Sequence, residues 1–525
     1  MQSFPSIKLR LGLIAYSLLW WVLLPAILIY IRRRSRRDPD YGKHLGERFG
    51  RYRTTLKGAV WVHAVSLGEM RSATPLIRAL LDRGETVITT HFTPAGRREA
   101  MREFAAEIAA GRVQPLWVPF EYGFAYRRFL RAFAPKYGLV MEIEIWPRMI
   151  MACRAHGTPL FLCNAQYPQK SYDKDAGGMR AELLRGLAGG FVKSEDQRVR
   201  FASAGMTNLQ VTGELRFDQP IPQAHLAAAD ALRDRLTKGR PTVTLTSVVE
   251  GEDALYLDMI RQAPGTFFVY VPRAPERFDT VAGMLDAAGL RYARRSDLLD
   301  ADLHLTGPAP DIDVLLGDSM GEMYFYLGLC DRAIVGGGFV PSGAHNIIEP
   351  LAVKKPVIVG PHIWTIAYPA EEAIAAGVCI QVQDADALCD AVQHAVPISD
   401  AQISQFYAEH AGGVARTLAA IDRVMKRTFQ PSNLEFVSLT TGTNASNVIP
   451  GMATAQLNIR FTDLQSGRGL SEELTRRVHE VEPEAIVRTR ISGESFLTPP
   501  GELYDVVVAA IKEETGIDTD LSTKG

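Results

Sequence analysis

A chain of 525 residues is long enough for three or four domains at about 150 residues each. Hydrophobic residues make up 47% and charged residues 22%, which excludes a disordered chain, and a formal net charge of −1 supplies no global basic field for nucleic acid. Five cysteines (Cys153, Cys163, Cys330, Cys379 and Cys389) lie scattered without a CxxC pair, which argues against a disulfide framework or a zinc site.

Leu11 to Ile31 carries no charge. At ~1.5 Å per residue it reaches about 30 Å, the thickness of a bilayer core. Arg32, Arg33, Arg34, Arg36 and Arg37 follow it, against Lys8 and Arg10 before it. This asymmetry predicts an uncleaved single-pass anchor with the rest of the chain in the cytoplasm and arginines facing anionic lipid.

Val60 to Arg71 (VWVHAVSLGEMR) begins as a β-rich run and then turns to helical spacing through Met70, Ala73, Ile77, Leu80 and Leu81. A strand-turn-helix unit follows, with Glu69 in the first turn of the helix at the carboxyl end of the strand. There it either complements the helix dipole or serves as a base toward a bound hydroxyl. From Gly58 to about Phe217 strands and helices alternate: Val87–Thr90, Gly138–Glu144, Leu160–Asn164, Phe191–Lys193 and Leu209–Thr212 read as strands. The pattern predicts a parallel sheet covered by helices. Glu142 and Glu144 alternate on one of these strands and are expected on the same side.

The pattern restarts at Pro241, with strands at Val243–Thr246, Phe267–Val271, Leu315–Leu316, Ala333–Val335 and Val357–Val359. Each leads into glycine, serine or charge, as phosphate-binding turns do. Arg273 stands where it can grip a phosphate, and Glu349 where it can accept from sugar hydroxyls. Two Rossmann-like α/β domains facing a cleft are expected.

The ordered motifs His63–Glu69, Glu142–Pro147, Val271–Arg273 with Pro275–Phe278, Gly317–Glu322, and His345-Asn346 with Glu349-Pro350 resemble the 3-deoxy-D-manno-octulosonic acid (Kdo) transferases. So does the segment Leu45–Gly50 after the anchor, and the resemblance covers about residues 5–428. It implies a GT-B inverting glycosyltransferase that moves Kdo from CMP-Kdo to the lipid A precursor (lipid IVA) at the inner membrane, with no metal or other cofactor. Glu69 is then the catalytic base, supported by Glu142 or Glu144. Substrate binding falls to Ser66 and Gly68 beside the base. Across the cleft it falls to Arg273, Gly317, Ser319, Met320, Gly321, Glu322, Gly337, Gly338, His345, Asn346 and Glu349. The partners implied are the CMP-Kdo donor, the lipid A precursor and anionic lipids.

The motifs depart from the family at Ser247-Val248-Val249, where Ser-Thr-His/Arg is usual, at Ala274, usually histidine, and at Trp364-Thr365-Ile366, usually with an asparagine. Gly213-Glu214-Leu215-Arg216 replaces a usual Gly-Asn-Leu-Lys. These losses leave open a non-catalytic nucleotide-sugar-binding homologue.

From Phe429 the composition changes. Ala455, Leu457, Ile459 and Phe461 alternate with polar residues as a half-buried strand; Leu474, Val478 and Val481 mark an amphipathic helix; Ile486–Ile491 reads as a strand and Glu502–Thr515 as a helix. Gly442–Pro450, Asn458–Phe461, Phe496–Pro500 and Leu521–Gly525 resemble part of the lid, or dimerisation, region of succinyl-diaminopimelate desuccinylase, a zinc hydrolase. Asn447 matches a substrate-contacting position there. The tail has no His-x-Asp, and His479 is its only imidazole, so it reads as an inactive fusion; a bifunctional enzyme is the alternative. The expected divisions are 1–37 anchor, 38–220 acceptor domain, 221–428 CMP-sugar domain and 429–525 α+β fragment.

Overall fold

The computed structural model describes residues 4–175, 177–394, 397–428, 433–441, 452–460 and 466–492. The chain divides into two units, Met1–Leu418 and Ala419–Gly525. The first opens with helix α1 (Ile7–Ser35), N-capped by Ser6 and long and apolar enough, by length and composition, to cross a membrane.

Behind it stand two seven-stranded parallel sheets. The first holds β1 (Val60–His63), β2 (Val87–His91), β3 (Val113–Trp117), β4 (Gly138–Met141), β5 (Leu160–Ala165), β6 (Gly189–Val192) and β7 (Leu209–Val211), in the order β3-β2-β1-β4-β5-β6-β7. The second holds β8 (Thr242–Val248), β9 (Phe267–Pro272), β10 (Tyr292–Arg294), β11 (Val314–Leu316), β12 (Arg332–Val335), β13 (Val357–Val359) and β14 (Cys379–Gln381), in the order β10-β11-β9-β8-β12-β13-β14. Strands such as Val60–His63 and Gly138–Met141 are buried at every residue because helices cover both faces, which is why they read as continuous apolar runs. This is the two-domain α/β architecture expected of GT-B.

Three strands of these two sheets escape the sequence pattern. Gln114 and Pro115 interrupt β3, while β10 (YAR) and β14 (CIQ) are three-residue strands with polar ends. The Leu45–Gly50 segment also finds its reason here. Glu47 accepts from the Trp117 N–H at 2.8 Å, and the buried Arg48 lays its guanidinium 4.4 Å from the Trp117 ring.

The chain returns from the second sheet to the end of the first. Asp218 accepts from the Gly412 and Val414 N–H groups, both at 2.6 Å, and Arg416 donates to the Thr212 carbonyl at 3.0 Å. Next to this closure Glu214 is buried against Lys193 at 2.8 Å and accepts from the Asn164 amide at 2.8 Å. Burial pushes its carboxyl up, but Lys193, Arg216 and these bonds outweigh burial and hold it at about 2. A depressed folded-state value stabilises the protein above the ordinary carboxyl range and is lost as pH falls toward 2. The stability gap between wild type and Glu214→Gln is therefore expected to narrow by about 2 kcal/mol between pH 6 and pH 3, read from urea midpoints.

The second unit holds an antiparallel pair, β15 (Asn433–Thr441) and β16 (Ala453–Arg460), with a bulge between Phe436 and Ser438, and the helix Gly467–Val481. Ile486–Ile491, expected as a strand, is not in one; a strand needs a paired neighbour, and the described sheet ends at two strands. Asn447 and the expected helix Glu502–Thr515 lie outside the described residues.

Candidate active site

Each sheet holds an interior point at which its strand order reverses, and the second also inverts its outermost pair, β10 lying outside β11. In the first the reversal falls between β1 and β4, in the second between β8 and β12. The crevice at the carboxyl ends beside such a reversal is where open α/β sheets bind ligands.

At the first reversal α2 (Leu67–Asp82) follows β1, with Ser66 as its N-cap. Glu69 is buried in its first turn. Its carboxylate accepts from the Val65 N–H at 2.7 Å and the Ser66 hydroxyl at 3.1 Å, while Ser66 Oγ accepts from the Glu69 N–H at 3.3 Å. Carboxylate oxygens hold about four acceptor sites between them, so a substrate hydroxyl can still be met. Burial pushes the Glu69 carboxyl up; the Val65 N–H pulls it back, and the fields of Glu142 and Glu144 add to the rise, leaving it at about 7. Space opens at Gly68, where an added Cβ would meet nothing within 4 Å.

β4 ends at Met141, so Glu142 and Glu144 do not alternate along a strand as expected. Glu142 takes a left-handed φ of 56°, which breaks the extended run, and its N–H donates to the Cys163 carbonyl at 2.9 Å. Glu144 lies in the following turn and accepts from the Trp146 indole N–H at 2.7 Å. Burial raises its carboxyl, Trp146 lowers it and Glu142 raises it again. The two acids still converge on Glu69, since the fields of both raise its carboxyl.

The cation that answers them was not foreseen as a site residue. Arg216 lies 3.6 Å from Glu142 and donates to Ser72 Oγ at 2.7 Å. Burial lowers its guanidinium, but the fields of Glu214, Glu142, Glu349 and Glu69 raise it above the ordinary value. Glu349 comes from the helix Ile348–Ala352 of the second sheet's half. Burial raises its carboxyl, and Arg216 and Arg71 of the first half, with Asn346, lower it. Carboxylates from both sheets thus meet at one arginine. The signal was the Gly-Glu-Leu-Arg departure, where a cation is kept with a longer reach.

At the second reversal Arg273 Nη1 donates to His345 Nε2 at 2.9 Å. Burial and the Arg273 charge push His345 down to about 4, so its ring is neutral and accepts. Exposed Arg273 keeps other N–H donors for an anion. Behind it buried Glu252 accepts from Gly337 N–H at 2.7 Å and Phe339 N–H at 3.1 Å, fixing the Gly336–Phe339 turn. Gly337 needs its φ of 87°, and a Cβ on Gly338 would lie 2.7 Å from the Gly360 nitrogen.

Several expected substrate contacts are spent inside the protein. Glu322 takes Arg295 on both oxygens, each at 2.7 Å, and also accepts from Ser319; Ser319 lies 2.5 Å from the Tyr326 hydroxyl. Asn346 Oδ1 accepts from the Ile348 N–H at 3.0 Å. Gly317 packs on Tyr326, Met320 is exposed, and Gly321 takes a φ of 90°. These bonds hold the turn that carries Ser319 and Glu322. Arg295→Met is expected to cost about 3 kcal/mol in urea unfolding, since it leaves a half-buried carboxylate unpaired. A Glu322 that serves only a ligand would leave stability unchanged. A separate cavity of about 300 Å³, lined by Tyr167, Tyr172 and Arg185 among others, includes none of these residues.

Two parallel α/β sheets, acids at one reversal and an arginine beside a glycine turn at the other, define a two-domain glycosyltransferase of GT-B type. The model of the family described as 3-Deoxy-D-manno-octulosonic-acid transferase (kdotransferase) matches residues 43–219. A 3-deoxy-D-manno-octulosonic acid transferase of Bordetella pertussis is 40% identical over 428 residues, 78% of this chain and 98% of that relative. One from Haemophilus influenzae is 32% identical over 66% of this chain and 82% of its own length. The chain belongs to the Kdo transferase family. Its tail is of other descent: the peptidase dimerisation domain model matches residues 387–485, and a succinyl-diaminopimelate desuccinylase of Sphingopyxis alaskensis is 49% identical over 21% of this chain, which spans 31% of that relative.

Proposed function

We propose that the protein transfers Kdo from CMP-Kdo to a hydroxyl of the lipid A precursor lipid IVA, working at the inner membrane with its body on the cytoplasmic side. What carries this reading is the buried carboxyl of Glu69, poised at about 7, at the mouth of the first sheet. A base of that strength is half ionised at neutral pH and suited to take an acceptor proton. The acceptor oxygen then attacks the anomeric carbon from the face opposite CMP, which leaves with the bonding electron pair. Inversion follows, and the proton stays on Glu69. Glu142 and Glu144 keep the base strong, and Arg216 keeps three neighbouring carboxylates from repelling one another apart.

On the other half Arg273, seated by His345, faces the leaving phosphate, and the Gly336–Phe339 turn lets the nucleotide approach the backbone. Ser66 positions Glu69, and Asn346 supports Glu349, whose charge reaches Arg216. The arginine flank at Arg32–Arg37 suits an anionic glycolipid. The tail is an appendage to this chemistry.

The test incubates the full chain with CMP-Kdo and lipid IVA and follows the glycolipid by mass spectrometry. The expected product carries added Kdo with equimolar CMP release. Tight CMP-Kdo binding without any transfer would replace this reading with the non-catalytic one.

A further inference from the structure

Helix α1 does not stand apart from the body. One stripe of it, Leu9, Leu13, Trp20, Leu24, Ile27 and Ile31, packs on the first α/β half. At ~1.5 Å per residue this seam runs about 33 Å, as long as a bilayer core is thick. Polar groups of the body meet the helix along the seam. Glu182 accepts from the Ser6 N–H and hydroxyl, each at 2.8 Å. Arg148 donates to the Leu13 carbonyl at 2.7 Å and to Ser17 Oγ. The Tyr122 hydroxyl donates to the Trp20 carbonyl at 2.8 Å, and Trp21 stacks on Phe124 at 6.0 Å.

A crossing helix in this pose would drag Arg148 and Glu182 to bilayer depth, which charged groups resist. Undocking it would instead bare Leu9 and Leu13 and leave Arg148 without these acceptors. The opposite stripe, Ile7, Leu11, Ile14, Leu18, Val22 and Ile29, is more than half exposed at every position. That stripe is too continuous for a water-facing surface. Exposed arginines follow its C-terminal end, and the helix Gly123–Phe133, which meets α1 through Phe124, exposes Arg127, Arg128 and Arg131.

We infer that α1 lies docked along the body in the plane of one leaflet, its outer stripe sunk among acyl chains and its arginines on anionic headgroups, with both ends on the side of the body. This rests on the membrane reading above and revises its topology from one crossing to none. An interfacial helix sits about 5–10 Å into the headgroup boundary along its whole length.

The test has two arms and uses the full chain. Lys8→Cys is challenged with a membrane-impermeant maleimide in intact spheroplasts and after lysis; labelling only after lysis is expected, and labelling in intact spheroplasts overturns the proposal. Nitroxides at Leu11→Cys, Leu18→Cys and Ile29→Cys, in a Cys389→Ser background that removes the half-buried thiol, are read for depth in anionic vesicles. Equal shallow depths support it. A deep Leu18 between shallow ends means a crossing, and nitroxide-nitroxide coupling without lipid contact means the stripe pairs with a second copy; either overturns it. Recovery of wild type in the soluble fraction would instead remove the membrane reading beneath.

Discussion

Glu69→Gln is expected to lower kcat for Kdo transfer by on the order of 10²–10⁴-fold while CMP-Kdo affinity stays near wild type. Glutamine keeps the oxygen that accepts from Val65 or Ser66, so the helix start survives and thermal unfolding should barely move. What it lacks is the ability to take a proton. The wild-type kcat/KM should fall below about pH 7, where burial places the Glu69 carboxyl and where protonation removes the base. Single-turnover rates at saturating donor, beside CMP-Kdo titration calorimetry, separate the two effects. Transfer that persists in the variant, or a pH limb far below 7, would move the base elsewhere.

Arg216→Ala is expected to cost transfer on the order of 10²-fold, the scale of losing one pre-organised cation from a charged site. The sign of its pH effect is the sharper test. Removing a positive charge favours the protonated form of the neighbouring carboxyls, so the acid limb should move upward from about 7. Arg216→Lys keeps the charge and should restore most of the limb's position, with part of the rate, since lysine cannot span Ser72 and Glu142 with a planar fork. A limb that stays put in the alanine variant would leave Arg216 a purely structural link.

The strands that carry the site were legible because both faces of a parallel strand are buried, and β1, β4, β9 and β12 therefore announce themselves as apolar runs. β3 was hidden by Pro115, and β10 and β14 by the polar residues that end their short runs. Glu69 was legible from the switch between strand and helix spacing. The geometry of Glu142 and Glu144 was misread because period-2 alternation assumes an extended backbone, and a left-handed turn at Glu142 ends it. Arg216 was seen only as a motif departure, since its partners Ser72, Glu142 and Glu349 lie far along the chain.

The sequence by itself determined most of the strands and helices of the two α/β halves, the family's ordered motifs and the foreign origin of the tail, because periodicity and local spacing are written residue by residue. Only the tertiary structure decided which acids meet, which of the expected contacts are already spent within the protein, and that the apolar N-terminal helix has the body along one side. Those depend on burial and on charges brought close from distant segments, and neither quantity exists until the chain has folded.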